Sequence, residues 1–113
     1  MQYTAPLRDM QFVLHELLDV HTELKALPRH ADIDADTINQ VLEEGGRFTA
    51  KVLAPLNAVG DREGCRIDPA SHAVTTPPGF TAAYRQFVEA GWPSLTCDPA
   101  YGGQGLPVVL YNC

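Results

Sequence analysis

Cysteine is scarce in this chain, and its three copies stand far apart. Cys65, Cys97 and Cys113 form an odd set with no pair at the close spacing that a zinc site or a redox motif requires. A disulfide-stapled secreted domain is thereby excluded, and a reduced, cytosolic protein is expected. Basic residues are also few, eight against fourteen acidic ones, for a formal net charge of −6. Such a field repels phosphate backbones and anionic lipid, so no nucleic-acid or membrane-surface partner is expected. No apolar run approaches the roughly 20 residues that cross a bilayer. The opening Met1-Gln2-Tyr3-Thr4 has neither a basic region nor an apolar run after it, which argues against a secretory leader. The four histidines, His15, His21, His30 and His72, lack metal-ligand spacing, and no serine or cysteine has a base within local reach.

Apolar residues, by contrast, are plentiful. They make up 45% of the 113 residues against 19% charged, enough for a folded core. A compact domain of this length has a radius of gyration of about 13 Å. It is too small to enclose a large cofactor together with its substrate.

Periodicity predicts an all-α chain of about three helices plus the start of a fourth, joined by long loops. Met10, Val13, Leu14, Leu17, His21 and Leu24 recur at three- and four-residue steps and predict a first helix over roughly 8–25. Phe12 lies half a turn from that stripe and needs a second partner, such as another domain or subunit. The acidic stretch Asp32, Asp34, Asp36 leads into a second helix with the stripe Ile38, Val41, Leu42, Gly45, Thr49, Val52 and Leu56. Glu43 stands four residues before Arg47, the favoured order for a helix-surface ion pair. Gly45 and Gly46 in mid-helix cost about 1 kcal/mol each relative to alanine, which close approach by a neighbouring helix would offset. Pro55 cannot donate to the carbonyl of Lys51, so a kink or an end is expected there. Residues 57–76 read as loop, within which Arg66-Ile67 and Ala73 to Thr75 pair as short extended segments. Thr76-Pro77-Pro78 starts a third helix over roughly 77–90, with the stripe Phe80, Ala83, Tyr84, Phe87 and Val88, and Gly91 closes it. Pro107 opens a last element of six further residues, less than two turns, which reads as the front part of a longer protein whose other domains would cover Phe12 and Val108 to Leu110.

Few constellations carry chemistry. Asp32, Asp34, Asp36 and Glu43 match positions 1, 3, 5 and 12 of a calcium loop, but Thr37 stands where the turn needs glycine and Glu43 falls inside a helix, so capping is the better reading. Glu43 and Glu44 diverge by about 100° and do not converge on a substrate. His21, on an apolar face, reads as a packed, hydrogen-bonded histidine. In Asp98-Pro99-Ala100-Tyr101-Gly102-Gly103-Gln104-Gly105-Leu106-Pro107 the Gly-x-Gly kernel follows no predicted strand and lacks a third glycine, which makes it a weak phosphate motif. Three glycines in four residues beside an aromatic instead suggest positive φ angles and a backbone packed close to a ligand or another domain.

That same loop closely resembles the Pro/acidic-Tyr-Gly-Gly-x-Gly-Leu signature of acyl-CoA dehydrogenases. Ala5-Pro6-Leu7-Arg8-Asp9-Met10, Val52-Leu53-Ala54-Pro55-Leu56-Asn57, Gly60-Asp61-Arg62-Glu63-Gly64-Cys65, and Thr75-Thr76-Pro77-Pro78-Gly79-Phe80 through Gly91-Trp92-Pro93 look like one subgroup. Its members carry an extra N-terminal segment and act in bacterial fatty acyl-CoA or 3-methylmercaptopropionyl-CoA oxidation. The resemblance covers essentially the whole chain. It implies that residues 1–30 are the extra segment and 31–113 the start of an N-terminal helical domain, with the family's middle β-domain and C-terminal helical domain absent. It also implies FAD in the full-length parent, acyl-CoA as substrate, an electron-transfer flavoprotein as electron acceptor and a homo-oligomer. The family's catalytic glutamate and main flavin contacts lie in those other domains, so this chain is expected to have no catalytic residue, no metal site and no flavin of its own. At most, Tyr101, Gly102, Gly103, Gly105 and Leu106 would shape the acyl-chain end of the pocket, a structural role for the glycines being the competing view. The alternative to an inactive enzyme portion is a free-standing helical interaction module of the same ancestry, binding through Phe12 and exposed helix faces.

Overall fold

The computed structural model describes residues 2–113 and is helical, as the periodicity predicts. The first predicted helix is present but broken. It begins as α1 (Leu7–Gln11), widens into a π turn over Phe12–Leu17 in which the Leu18 N–H donates to the Val13 carbonyl at 2.9 Å, and stops at Asp19. Asp19 adopts a left-handed φ of 45°, which short polar side chains tolerate better than most, and α2 (Val20–Lys25) restarts behind it. The extra residue in the π turn rotates the apolar stripe by about 100°. Leu14, Val20 and Leu24 are therefore buried, whereas Leu17, counted in the stripe, is 68% exposed. His21 is half-buried beside Asp34, and its ring makes no hydrogen bond among those found in the described residues. A turn of 3₁₀ helix at Pro28–His30 leads to the second rod.

Asp34 caps α3 (Ala35–Phe48), accepting the Thr37 N–H at 2.7 Å, so the aspartates serve the helix start. Arg47 pairs with Glu44, three residues before it, in place of the Glu43 partner expected from spacing. The helix does not end at Pro55. A second π turn over Thr49–Leu53, closed by the Ala54 N–H on the Thr49 carbonyl, widens the helix just ahead of the proline. α4 (Ala54–Glu63) then continues to Gly64, so residues 57–63 are helix and the loop begins seven residues later than the turn-forming composition suggests.

The expected extended pair is real and short. β1 (Arg66–Ile67) and β2 (Val74–Thr75) are antiparallel, with Arg66 opposite Thr75 and Ile67 opposite Val74. Asp68 organises the intervening loop by accepting from the Ala70 N–H, the Ser71 N–H and the Ser71 hydroxyl. The third helix, α5 (Phe80–Glu89), starts three residues later than predicted because Pro77, Pro78 and Gly79 form the lead-in turn. Gly91 closes it at φ 80°. Two 3₁₀ turns, Trp92–Ser94 and Pro99–Tyr101, precede the last element, α6 (Val108–Tyr111).

The core joins parts distant in sequence. Leu14, Val20 and Leu24 meet Ile38 and Leu42 from α3, and Leu95 and Leu110 from the C-terminal stretch. Ile38 is wholly enclosed. Leu110, expected to await cover, is buried in this core, while Val108 and Phe12 stay exposed. The mid-helix glycines are contact points, as expected, though mostly not with a long helix. A Cβ on Gly45 would sit 3.5 Å from the Trp92 ring, and one on Gly46 would sit 2.8 Å from Ala5 Cβ and 3.4 Å from Leu7. The compactness expected from length fails. The radius of gyration is 17.6 Å and the extents are 56 × 36 × 17 Å, because α4, the hairpin and α5 run beyond the core as a thin arm.

Candidate functional site

The glycine-rich loop folds back on its own neighbours. Asp98 caps the turn Pro99–Tyr101 by accepting the Ala100 N–H at 2.8 Å. After it, four consecutive backbone N–H groups are satisfied internally. Gly103 donates to the Asp98 carbonyl at 3.0 Å, Gln104 to Ser94 at 3.0 Å, Gly105 to Cys97 at 2.9 Å and Leu106 to Leu95 at 3.0 Å. The Gln104 side-chain amide adds a bond to the Gly91 carbonyl at 2.8 Å. Two glycines carry the left-handed backbone foreseen, Gly102 at φ 82° and Gly105 at φ 67°. Gly103 is needed for another reason: any Cβ there would overlap the Cys97 carbonyl.

The five loop residues singled out from sequence do not share one environment. Tyr101 is 91% exposed and Gly102 also faces solvent, while Gly103 and Gly105 are half-buried and Leu106 packs on the core. The loop thus presents Tyr101 outward on a stiff, hydrogen-bonded base.

A second feature escaped the sequence reading. Between α4 and α5 lies an apolar groove of about 490 Å³ lined by Leu53, Leu56, Asn57, Phe80, Ala83, Tyr84 and Phe87. That volume is in the range of small-molecule sites. Two glycines bring the helices together. A Cβ on Gly60 would meet the Phe80 ring at 2.7 Å, and one on Gly79 would meet Leu56 at 2.7 Å. A row of tilted aromatic rings ties the groove to the core, with Trp92 to Phe48 at 6.2 Å, Phe48 to Phe87 at 6.1 Å and Phe87 to Tyr84 at 6.5 Å. The signal was available in part: Leu53, Leu56 and the α5 stripe were visible, but Gly60 read as a turn former and so hid the helix that carries it.

These residues do not fit a flavin dinucleotide. A pyrophosphate needs free N–H groups or cations, and the N–H groups of the Gly-x-Gly kernel are spent on the backbone. The α4–α5 groove is lined by no charged side chain, so it offers neither a phosphate clamp nor a carboxylate base. Among the described residues no group of three or more His, Cys, Asp or Glu is placed to hold a metal. Among the described residues the two carboxyls with displaced titration, Asp34 and Asp68, are structural. Thr37, through its hydroxyl and then its N–H, holds Asp34 below the ordinary carboxylate range, and Ser71 does the same to Asp68 through its N–H and then its hydroxyl, with Ala70 adding to it.

Comparison with known proteins supplies the lineage. No protein-family model matches the chain. It is 41% identical over 110 residues, 97% of its length, to the 3-methylmercaptopropionyl-CoA dehydrogenase of Ruegeria pomeroyi. The homologues of this chain are acyl-CoA dehydrogenases. A broad-specificity linear acyl-CoA dehydrogenase of Mycobacterium tuberculosis is 33% identical over 105 residues, 93% of the chain, and a butyryl-CoA dehydrogenase of Syntrophomonas wolfei 31% over 108 residues, 95% of the chain. The chain spans 18%, 17% and 18% of the length of these acyl-CoA dehydrogenases. Its helical architecture agrees with that of a partial N-terminal helical domain. No helix among the described residues is long and apolar enough to cross a membrane.

Proposed function

We propose that this chain is the N-terminal helical portion of an FAD-dependent acyl-CoA dehydrogenase of fatty-acid oxidation, and that it does not dehydrogenate alone. Residues 1–30 are the extra N-terminal segment in this reading, and 31–113 begin the helical domain proper. The observation that carries it is the pairing of near-complete sequence coverage with a glycine loop whose N–H groups are all consumed internally. A loop built this way can shape a pocket wall but cannot cradle a cofactor phosphate. In the whole enzyme, FAD would supply the hydride acceptor, and this chain's contribution is steric. Tyr101, held out on the rigid turn above Gly102, Gly103 and Gly105, would border the acyl-chain end, while Leu106 anchors the loop to the core. An electron-transfer flavoprotein as electron acceptor, a homo-oligomeric parent and a cytoplasmic location complete the proposal.

The test is direct. The purified 113-residue protein is expected to show no flavin absorbance after incubation with FAD and no acyl-CoA-dependent dye reduction. Either signal overturns the claim of inactivity. The second reading, a helical interaction module, is favoured by one observation, the exposed apolar side chains of Phe12, Leu17, Tyr84 and Val88 on a chain with a folded core.

A further inference from the structure

Gly91 has two reasons to be glycine, and only the first concerns the end of a helix. Its φ of 80° closes α5, and the place that a Cβ would take is filled by the side-chain amide of Gln104. That amide donates to the Gly91 carbonyl at 2.8 Å, where the Ser94 N–H at 3.1 Å and the Ser94 hydroxyl at 3.2 Å donate as well. One carbonyl at the end of α5 therefore gathers donors from the next turn and from a residue 13 positions on. The other bonds of the glycine loop run elsewhere. The N–H groups of Gly103, Gln104, Gly105 and Leu106 reach Asp98, Ser94, Cys97 and Leu95, and Asp98 caps its own turn. Leu95 and Leu106 fix that unit to the core, whereas α5 belongs to the arm. Among the described residues, the Gln104 amide is thus the one side-chain hydrogen bond that ties residues 98–106 to the end of α5.

We propose that Gln104 is a positioning residue: by holding the Gly91 carbonyl it sets where the stiff Tyr101 turn stands relative to α5. Its purpose, fixing the acyl-chain end of the pocket, rests on the dehydrogenase reading; the placement itself does not. In the 113-residue chain, residual dipolar couplings measure the orientation of residues 98–106 against α5. Gln104→Glu keeps the shape but loses the donor at neutral pH, and is expected to turn the loop as a body, its couplings shifting together while those within α5 hold. Gln104→Lys restores a donor and with it the original couplings, which packing alone would not do. Gly91→Asn tolerates the left-handed φ but puts a Cβ where the amide lies, so it reproduces the Gln104→Glu shift and the double variant adds nothing to it. Unchanged couplings in Gln104→Glu, no rescue by lysine, or additive shifts overturn the proposal. In the whole enzyme, Gln104→Glu is expected to raise KM for the acyl-CoA by about threefold to tenfold, the worth of one hydrogen bond, and to lower kcat by less. A loss confined to kcat, or none in either constant, overturns the positioning role. A whole protein devoid of acyl-CoA dehydrogenation overturns the dehydrogenase reading instead, and the couplings still decide the placement.

Discussion

Gly46 and Ala5 define how the N-terminal segment rests on the long helix: a Cβ added to the glycine would lie 2.8 Å from the alanine Cβ. The distance is below any ordinary carbon–carbon contact, and the alanine Cβ is tied directly to its backbone, so the whole segment must move to make room. One residue earlier, the same methyl on Gly45 would meet only the edge of Trp92 at 3.5 Å, an ordinary contact.

Gly45→Ala and Gly46→Ala are accordingly expected to differ in sign. The first gains up to about 1 kcal/mol of helix propensity, and the second loses that gain and about 1–3 kcal/mol more to overpacking. Urea unfolding of the two variants checks it, and equal effects would show that the N-terminal segment does not bear on Gly46.

Among the described residues Ile38 is the one large side chain with no exposure, and it sits where α3, the α1–α2 arch and the C-terminal stretch meet. Ile38→Ala is expected to cost about 2–5 kcal/mol, a large share of what a domain this size can hold. Loss of the cooperative thermal transition is the readout. A cost below that of an exposed aliphatic would place the core elsewhere.

The loop glycines should separate by mechanism. Gly103→Ala drives a methyl into the Cys97 carbonyl and is expected to cost about 1–3 kcal/mol. Gly102→Ala meets nothing within 4 Å and loses only the preference for its left-handed φ, roughly 1–2 kcal/mol. Amide exchange at Gly105 and Leu106 should accelerate in the first variant and change little in the second.

Acid should loosen the hairpin loop late. Ser71 and Ala70 stabilise the ionised Asp68 carboxyl, so its folded value lies below its unfolded one. The contribution is complete above the unfolded aspartate value of about 3.9 and is lost as the pH falls through the lower folded value. Amide chemical shifts of Ala70 and Ser71, followed from neutrality into acid, should titrate with a midpoint below that of an ordinary aspartate. Asp68→Asn keeps an acceptor and should abolish the titration. A midpoint at or above the ordinary value contradicts the bonding described.

Much of the fold was legible because it is local. Asp34 before an apolar period announced α3, Gly91 announced the end of α5, and Arg66-Ile67 against Val74-Thr75 could be paired from turn chemistry alone. What misled was local as well. Pro55 and Gly60 are breakers by composition, yet the helix passes both, one through a widened turn and the other by packing against Phe80. Glu43 had the better spacing for Arg47, but Glu44 holds it.

The candidate site divides along the same line. That the loop carries positive φ at some of its glycines could be read without coordinates, whereas only the fold shows that these are Gly102 and Gly105 and not Gly103. Which carbonyls consume the loop N–H groups depends on Ser94, Leu95, Cys97 and Asp98 reaching the same point, and only the folded chain decides that.

By itself, the sequence determined helical character, the start of α3, the hairpin and the lineage, since each is written in near neighbours or in residue identities. Tertiary structure decided the phase of the first helix, the burial of Leu110, the spent N–H groups of the glycine loop and the open groove beside Tyr84. All four turn on where distant segments come to rest, and burial and hydrogen-bond satisfaction are properties of that meeting.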